Sequence, residues 1–144
     1  MTKLYEQTFN IVPVAQGRPR ISRVGDGVRA IDPAKSREYK ASIGLIAALY
    51  CKEKLPDVPL DVEMTFVLPI PKSWSKKKRQ EAIEKKIAPA SRPDLDNYIK
   101  AVLDALNGIV WEDDSAIVGI AARKTYGEKP MVQLTVYEHE VWIY

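Results

Sequence analysis

The chain has 144 residues, 46% of them hydrophobic, and a formal net charge of +3. That length suits one domain, predicted over residues 1–144, with neither an apolar run of about 18 residues that would span a membrane nor a signal peptide, so the cytoplasm is the expected location. Its single cysteine and single histidine exclude an internal disulfide and a Cys/His zinc site.

The first half of the chain carries two strand patterns and one helix pattern. Alternating apolar residues predict a strand over residues 5–11, and the glycines and proline of residues 16–31 predict a loop or a loose hairpin. Asp32 is suited to cap a helix that apolar spacing extends over residues 33–51. Strict alternation over residues 60–68 predicts a half-buried strand that stops at the following proline.

The second half predicts two helices and a hairpin. Ser75 can cap a short helix that runs to about residue 86, and residues 94–107 form the strongest helix pattern. Its apolar stripe is Leu95, Ile99, Val102, Leu103 and Leu106. Residues 117–126 and 131–137 read as a hairpin across a four-residue turn. The expected fold class is α/β or α+β, with a mixed sheet flanked by helices.

Basic residues are concentrated in two segments. Residues 16–37 carry a balance of +4 and residues 72–86 a balance of +5, which leaves −6 for the rest of the chain. Such a surface suits a polyanion such as DNA, although solvated charge on loops and helices is the alternative. The candidate DNA-binding residues are Arg18, Arg20, Arg23, Arg29, Lys72, Lys76, Lys77, Lys78, Arg79 and Arg92.

Acidic residues are concentrated between Asp94 and Asp114, where six carboxylates accompany a single lysine. On a helical wheel, Asp96, Lys100 and Asp104 stack along one side, and Asp94 and Asp96 can converge at the start of the helix. Carboxylates paired in this way favour Mg²⁺ or Mn²⁺, which prefer oxygen ligands. Asp113 and Asp114 follow the helix, and nothing in the pattern brings them back to its beginning.

Phosphodiester hydrolysis explains this combination of residue types. Carboxylates alone would repel a phosphate, whereas carboxylates that hold a divalent metal reverse the local charge, polarise the phosphate and lower the pKa of a bound water. Lys100 can stabilise the charge that develops at phosphorus. The structural alternative is that Asp94 caps the helix, that Asp96 favours its positive end, and that Asp113 and Asp114 form an ordinary turn.

One stretch of the chain resembles the RusA family of Holliday-junction resolvases, small endodeoxyribonucleases common in phages and prophages. The resemblance is carried by the segments Pro93-Asp94-Leu95-Asp96-Asn97, Lys100, Asp104-Ala105-Leu106-Asn107-Gly108 and Trp111-Glu112-Asp113-Asp114. The early strand, residues 17–20 and residues 71–75 also resemble the family's layout, so the similarity covers most of the chain.

The resemblance implies catalytic roles for Asp94, Asp96 and Asp114, an essential lysine at Lys100, and a share in metal binding for Asp113. It also implies a homodimer that makes paired nicks in four-way junction DNA with Mg²⁺ or Mn²⁺. Two other functions fit the same residues. One is a nucleic-acid-binding module without catalysis, and the other is a metal-dependent nuclease for other branched DNA.

Overall fold

The computed structural model describes residues 2–17, 20–25, 27–31 and 33–140, with residues 20–24 and 28–31 described by their backbone alone. The strands are β1 (Thr2–Phe9), β2 (Arg20–Val24), β3 (Gly27–Ile31), β4 (Leu60–Pro69), β5 (Ile117–Gly127) and β6 (Met131–Glu138). The helices are α1 (Ala34–Tyr50), α2 (Lys76–Ile83) and α3 (Leu95–Leu106), with a 3₁₀ turn at Asp114–Ala116. The fold is therefore α+β, as the sequence predicts.

The main sheet has the order β1-β6-β4-β5, and β2 pairs with β3 in a separate hairpin. The hairpin predicted between residues 117–126 and 131–137 is wrong, because β4 lies between β5 and β6. β5 runs parallel to β4, whereas β6 runs antiparallel to it. The alternating apolar side chains of β4 are buried on one face, and a central position gives this strand a neighbour on each side.

Apolar side chains cover only one face of the sheet. Leu60, Val62, Met64, Phe66 and Leu68 of β4 are buried there, together with alternate residues of β1 and β6. The other face is polar and bears a shallow concavity lined by residues such as Glu63, Thr65 and Gln133. The described part of the chain thus forms two layers, with α1 and α3 packed against the apolar face.

Helix α3 is buried on a different stripe from the predicted one. Its most buried residues are Tyr98, Ala101, Val102, Ala105 and Leu106, so the stripe is rotated toward the tyrosine. The reason is that α3 packs against α1 as well as against the sheet, a contact that a single apolar stripe in the sequence does not reveal. With this orientation Asp96 and Lys100 are exposed, whereas Asp104 is half-buried.

The approach of α1 to α3 depends on Gly44. A Cβ atom built at this position would lie 3.0 Å from Ile109 Cδ1 and 3.3 Å from the Ala105 carbonyl oxygen. Such contacts are tighter than ordinary packing, so the missing side chain sets the spacing of the two helices.

The predicted helix boundaries hold to within a few residues. α1 has Pro33 at its N-cap, and the predicted cap, Asp32, lies outside the described residues. Ser75 caps α2 as predicted, accepting a hydrogen bond from the Lys78 backbone N–H. The helix ends earlier than expected, before Lys85, whose positive φ of 65° cannot continue it. Among the described residues, no helix is both long and apolar enough to cross a membrane.

Candidate active site

Asp94 and Asp96 lie together at the N-terminus of α3. Asp94 occupies the N-cap position, yet its side chain makes no capping hydrogen bond, and Asp96 lies in the first turn. Both residues are exposed. The helix dipole favours negative charge at this end of the helix. Their carboxylate oxygens are therefore available to an external partner. The structural alternative, in which the Asp94 side chain caps the helix, has no hydrogen bond to support it.

The segment that leads into α3 is held in place by two other parts of the chain. The Lys124 ammonium donates to the carbonyl oxygens of Ser91 at 2.8 Å and Pro93 at 2.9 Å. The Gln16 backbone N–H donates to the Asn97 carbonyl oxygen at 2.9 Å. These contacts tie the first turn of α3 to β5 and to the segment after β1, so Asp94 sits on a fixed support.

Lys100 and Asp104 follow Asp96 on the solvent side of α3, but their surroundings differ. Lys100 is exposed, one turn beyond Asp96. Asp104 is half-buried and forms an ion pair with Lys40 of α1, with 3.3 Å between the ammonium and the carboxylate. Asp104 thus links the two helices, whereas Lys100 faces outward beside the acidic pair.

Asp113 and Asp114 lie at the opposite end of α3. Asp113 caps the 3₁₀ turn, accepting a hydrogen bond from the Ser115 backbone N–H at 3.1 Å. Hydrogen bonds from Ser115, the side chain first and the backbone second, hold the pKa of Asp113 below its usual value. This capping role matches the alternative in which Asp113 belongs to an ordinary turn. Asp114 is the less exposed of the two residues.

Asp114 is oriented by a short chain of hydrogen bonds. The Trp111 indole N–H donates to Asn107 Oδ1 at 2.7 Å, and Asn107 Nδ2 donates to Asp114 Oδ2 at 3.4 Å. Trp111 is buried. Gly108, with a φ of 78°, makes the turn that brings Trp111 back against Asn107. Asn107 stands in the motif that resembles the RusA family but was not among the predicted site residues, although an asparagine before a glycine at a helix end marks such a turn.

Within one chain, Asp94 and Asp96 are not brought together with Asp113 and Asp114. Eleven residues separate Asp96 from Asn107, a rise of about 16 Å along α3, and Asp114 is bonded at the Asn107 end. Within the described ranges, no group of three or more His, Cys, Asp or Glu side chains converges on a possible metal position. Asp94 and Asp96 form one acidic site, and Asp113 and Asp114 form another.

The basic residues of α2 divide into two pairs. Lys76 and Lys77 are exposed. The Lys78 ammonium instead lies 4.0 Å from the centroid of the Trp74 ring, a cation–π contact. Arg79 is half-buried and donates to the Pro71 carbonyl oxygen at 3.2 Å and to that of Ile70 at 3.5 Å.

The remaining candidate DNA contacts are Lys72 and Arg92, both exposed near the start of α2 and α3. Arg18 lies outside the described residues, and the side chains of Arg20, Arg23 and Arg29 are likewise outside them. Lys124 was not among the candidates. Its only sequence signal was a charged pair with Arg123 in a strand pattern that is otherwise largely apolar, and its role is to hold the loop before Asp94.

Known proteins are similar in sequence to this chain over most of its length. A relative in Bacillus subtilis (strain 168), the uncharacterized protein YqaN, is 40% identical over 128 residues, which cover 88% of this chain and 90% of YqaN. The crossover junction endodeoxyribonuclease rusA of Lactococcus phage r1t is 29% identical over 139 residues, covering 93% of this chain and 96% of the phage protein. The model of the family described as endodeoxyribonuclease RusA matches residues 10–137, a span that includes both acidic sites. The chain therefore belongs to the RusA family of endodeoxyribonucleases.

Proposed function

We propose that this protein is a metal-dependent endodeoxyribonuclease that resolves four-way DNA junctions by paired nicks. The observation that carries the proposal is the exposed pair Asp94 and Asp96, which is not used for helix capping and has Lys100 one turn away. The phage relative is named a crossover junction endodeoxyribonuclease, which supports the same substrate.

The acidic pair suits Mg²⁺ or Mn²⁺. Mg²⁺ is commonly bound through one or two carboxylates, together with water and substrate phosphate, so two aspartates suffice to begin such a site. A bound metal would polarise the scissile phosphate and supply a nucleophilic water at neutral pH. Asp94 and Asp96 would hold it, and the loop fixed by Lys124 keeps their backbone in position.

The basic residues nearby have separate tasks. The Lys100 ammonium can stabilise negative charge that develops on the phosphate oxygens. Lys72 and Arg92 are exposed, Arg92 two residues before Asp94, and both can contact the DNA backbone. Cationic contacts of this kind supply affinity without reading sequence.

We further propose that the active form is a homodimer joined through β5, which completes each site. β5 is an edge strand of the main sheet, and its outer side pairs with no strand in the part of the chain described. It exposes Val118 by 58% and Ile120 by 44%, which is unusual for an unprotected edge. A second copy of β5 would bury both side chains.

The geometry of that pairing would bring the two acidic groups together. If two β5 strands paired antiparallel about Gly119, the partner's Asp114 would lie opposite Lys124. Lys124 contacts the Pro93 carbonyl, next to Asp94. A two-fold axis gives two equivalent sites, and the approximate two-fold symmetry of a four-way junction calls for two nicks. Asp114 would thus serve the site of the other subunit.

Cleavage of a synthetic four-way junction tests the enzymatic proposal. With Mg²⁺ we expect nicks at symmetric positions on two opposing strands, no cutting of linear duplex of the same sequence, and complete loss of activity in EDTA. The Asp94→Asn variant, purified in parallel, controls for contaminating nucleases. Junction binding without metal-dependent cutting would favour the non-catalytic module. Equal cutting of flaps and forks would favour a nuclease for other branched DNA.

A further inference from the structure

A groove of about 280 Å³ lies directly beside the candidate active site. Three segments form it: the residues after β1, the end of β4 with the residues that follow, and the connector that leads into α3. Arg92 and Pro93 line its edge, and Pro93 immediately precedes Asp94. Any group held in this groove would therefore adjoin a phosphate bound at the acidic pair.

The walls of the groove are rigid and largely without hydrogen-bond donors. Five prolines contribute to them: Pro13, Pro69, Pro71, Pro89 and Pro93. Proline has no backbone N–H and a fixed φ, so these walls present ring faces and lose little conformational freedom when a ligand binds. Tyr98 and Tyr126 form part of its floor, although both side chains are largely buried. Surfaces of this kind suit a flat, weakly polar ring system.

The charges around the groove favour a nucleotide over a cation. No carboxylate lines it among the described residues, although Asp94 and Asp96 are close by. Three of its backbone carbonyls already accept hydrogen bonds, because Arg79 donates to the Pro71 carbonyl and Lys124 donates to the Ser91 and Pro93 carbonyls. Arg92 remains at the edge as an exposed donor, suited to a phosphate or to the acceptor atoms of a base.

Val12 gives a further indication that the groove is a binding surface. It lines the groove and is 51% exposed, one of only a few large apolar side chains so exposed in the described chain. The groove volume falls just below the range of roughly 300–1,000 Å³ that is usual for drug-sized ligands. That size matches one base better than a stacked pair.

We propose that this groove takes up one unstacked nucleobase next to the scissile phosphate. The inference rests on the proposed function, since it names the part of the DNA substrate that the same site holds. Branched DNA offers bases at the crossover whose unpairing costs less than in continuous duplex. Capture of one such base would position the adjoining phosphate and would make cleavage depend on which base stands there.

The test uses 2-aminopurine, a fluorescent base analogue, placed in turn at each position flanking the branch point. The inactive Asp94→Asn protein is bound to each junction, and quenching by acrylamide is measured. We expect one position next to the nick to show a several-fold rise in emission with protection from acrylamide. Adding Ser91→Trp, which fills the groove, should abolish both effects while junction binding persists. The matched control is Ser73→Trp, an exposed serine outside the groove.

The same scan on a single-stranded oligonucleotide separates this proposal from the proposed function, because its bases need no unpairing. A protected base sensitive to Ser91→Trp in single-stranded DNA supports the groove even if junctions are neither bound nor cut. Junction cleavage without any position that depends on Ser91 would overturn the groove and leave the nuclease intact. Protection that survives Ser91→Trp would place the base elsewhere and also overturn it.

Discussion

At the scale of single residues, the two acidic groups differ in what their carboxylates already do. Asp113 caps a turn, Asp104 pairs with Lys40, and Asp114 accepts a hydrogen bond from Asn107. In the described structure, the side chains of Asp94 and Asp96 have no hydrogen bond or ion pair that would give them a structural role. Residues without a structural task at an exposed helix end are the best candidates for chemistry.

Asp94→Asn and Asp96→Asn are each expected to abolish junction cleavage while leaving junction binding intact or slightly tighter. Each change removes a metal ligand and a negative charge but no basic contact. Gel-shift binding and cleavage of labelled junctions check this. Asp104→Asn serves as the matched control on the same helix and should keep its activity. Nicking at the normal rate by either of the first two variants would remove that residue from the metal site.

Lys100→Ala is expected to raise the activation free energy of single-turnover cleavage by roughly 3–4 kcal/mol, the effect of losing one group that stabilises transition-state charge. Lys100→Arg should restore little, because a planar guanidinium does not replace a compact ammonium. Metal affinity should stay close to that of the wild type. Weaker junction affinity at an unchanged single-turnover rate would show that Lys100 is only a binding contact.

At the scale of elements, α2 owes its position to cations as much as to apolar packing. Ala82 is its only buried residue, while Lys78 and Arg79 contact Trp74 and the Pro71 carbonyl. The sequence alone made all four consecutive basic residues of this helix candidates for DNA contact, without showing which of them face the DNA. Their separation depends on where Trp74 and the end of β4 lie, which only the folded chain determines.

Lys76→Ala with Lys77→Ala should lower the slope of log K against log salt for junction binding by about 2, since each lost phosphate contact removes about 0.9. The matched pair, Lys78→Ala with Arg79→Ala, should change that slope little and lower the melting temperature instead. Salt titrations of junction binding and thermal unfolding distinguish them. Equal slopes for both pairs would mean that all four residues contact DNA alike.

Gly44→Leu should destabilise the protein by about 1–3 kcal/mol, the usual cost of overpacking a close contact. The added side chain would meet Ile109 and the Ala105 carbonyl and push α1 away from α3. Ala48→Leu, on the exposed side of the same helix, is the control and should be nearly neutral. Urea unfolding measures both. No loss of stability in Gly44→Leu would show that the helix pair can separate without cost.

At the scale of the whole molecule, sequence patterns reached the fold class, most of the helices and the strand β4, because these follow from local periodicity. They missed the position of β6, since two strands joined by a short turn usually pair and nothing local reveals that β4 intervenes. The positions of the candidate site residues divide in the same way. The Asp94 group follows from one helix, whereas the distance to Asp114 depends on how the chain returns after Gly108.

Mixing Asp94→Asn protein with Asp114→Asn protein should restore nicking if each site combines residues of two subunits. A mixed dimer then has one site with both lesions and one with none, whereas sites built within single chains would each keep a lesion. The two variants are unfolded together, refolded and assayed on a junction under Mg²⁺. Each variant treated alone is the control. A mixture as inactive as its components would rule out the shared site.

The placement of β6 has a consequence for how the protein is made. β6 is the last of the described strands of the main sheet in chain order, yet it lies between β1 and β4 and is the only partner of β1 among the described residues. During synthesis β1 must wait for residues 131–138, long after Asp94, Asp96 and Lys100 have emerged. Stalled chains that end before Met131 should therefore remain sensitive to protease. Under the proposed function, the capacity to cut DNA would arise only once this final strand has completed the sheet.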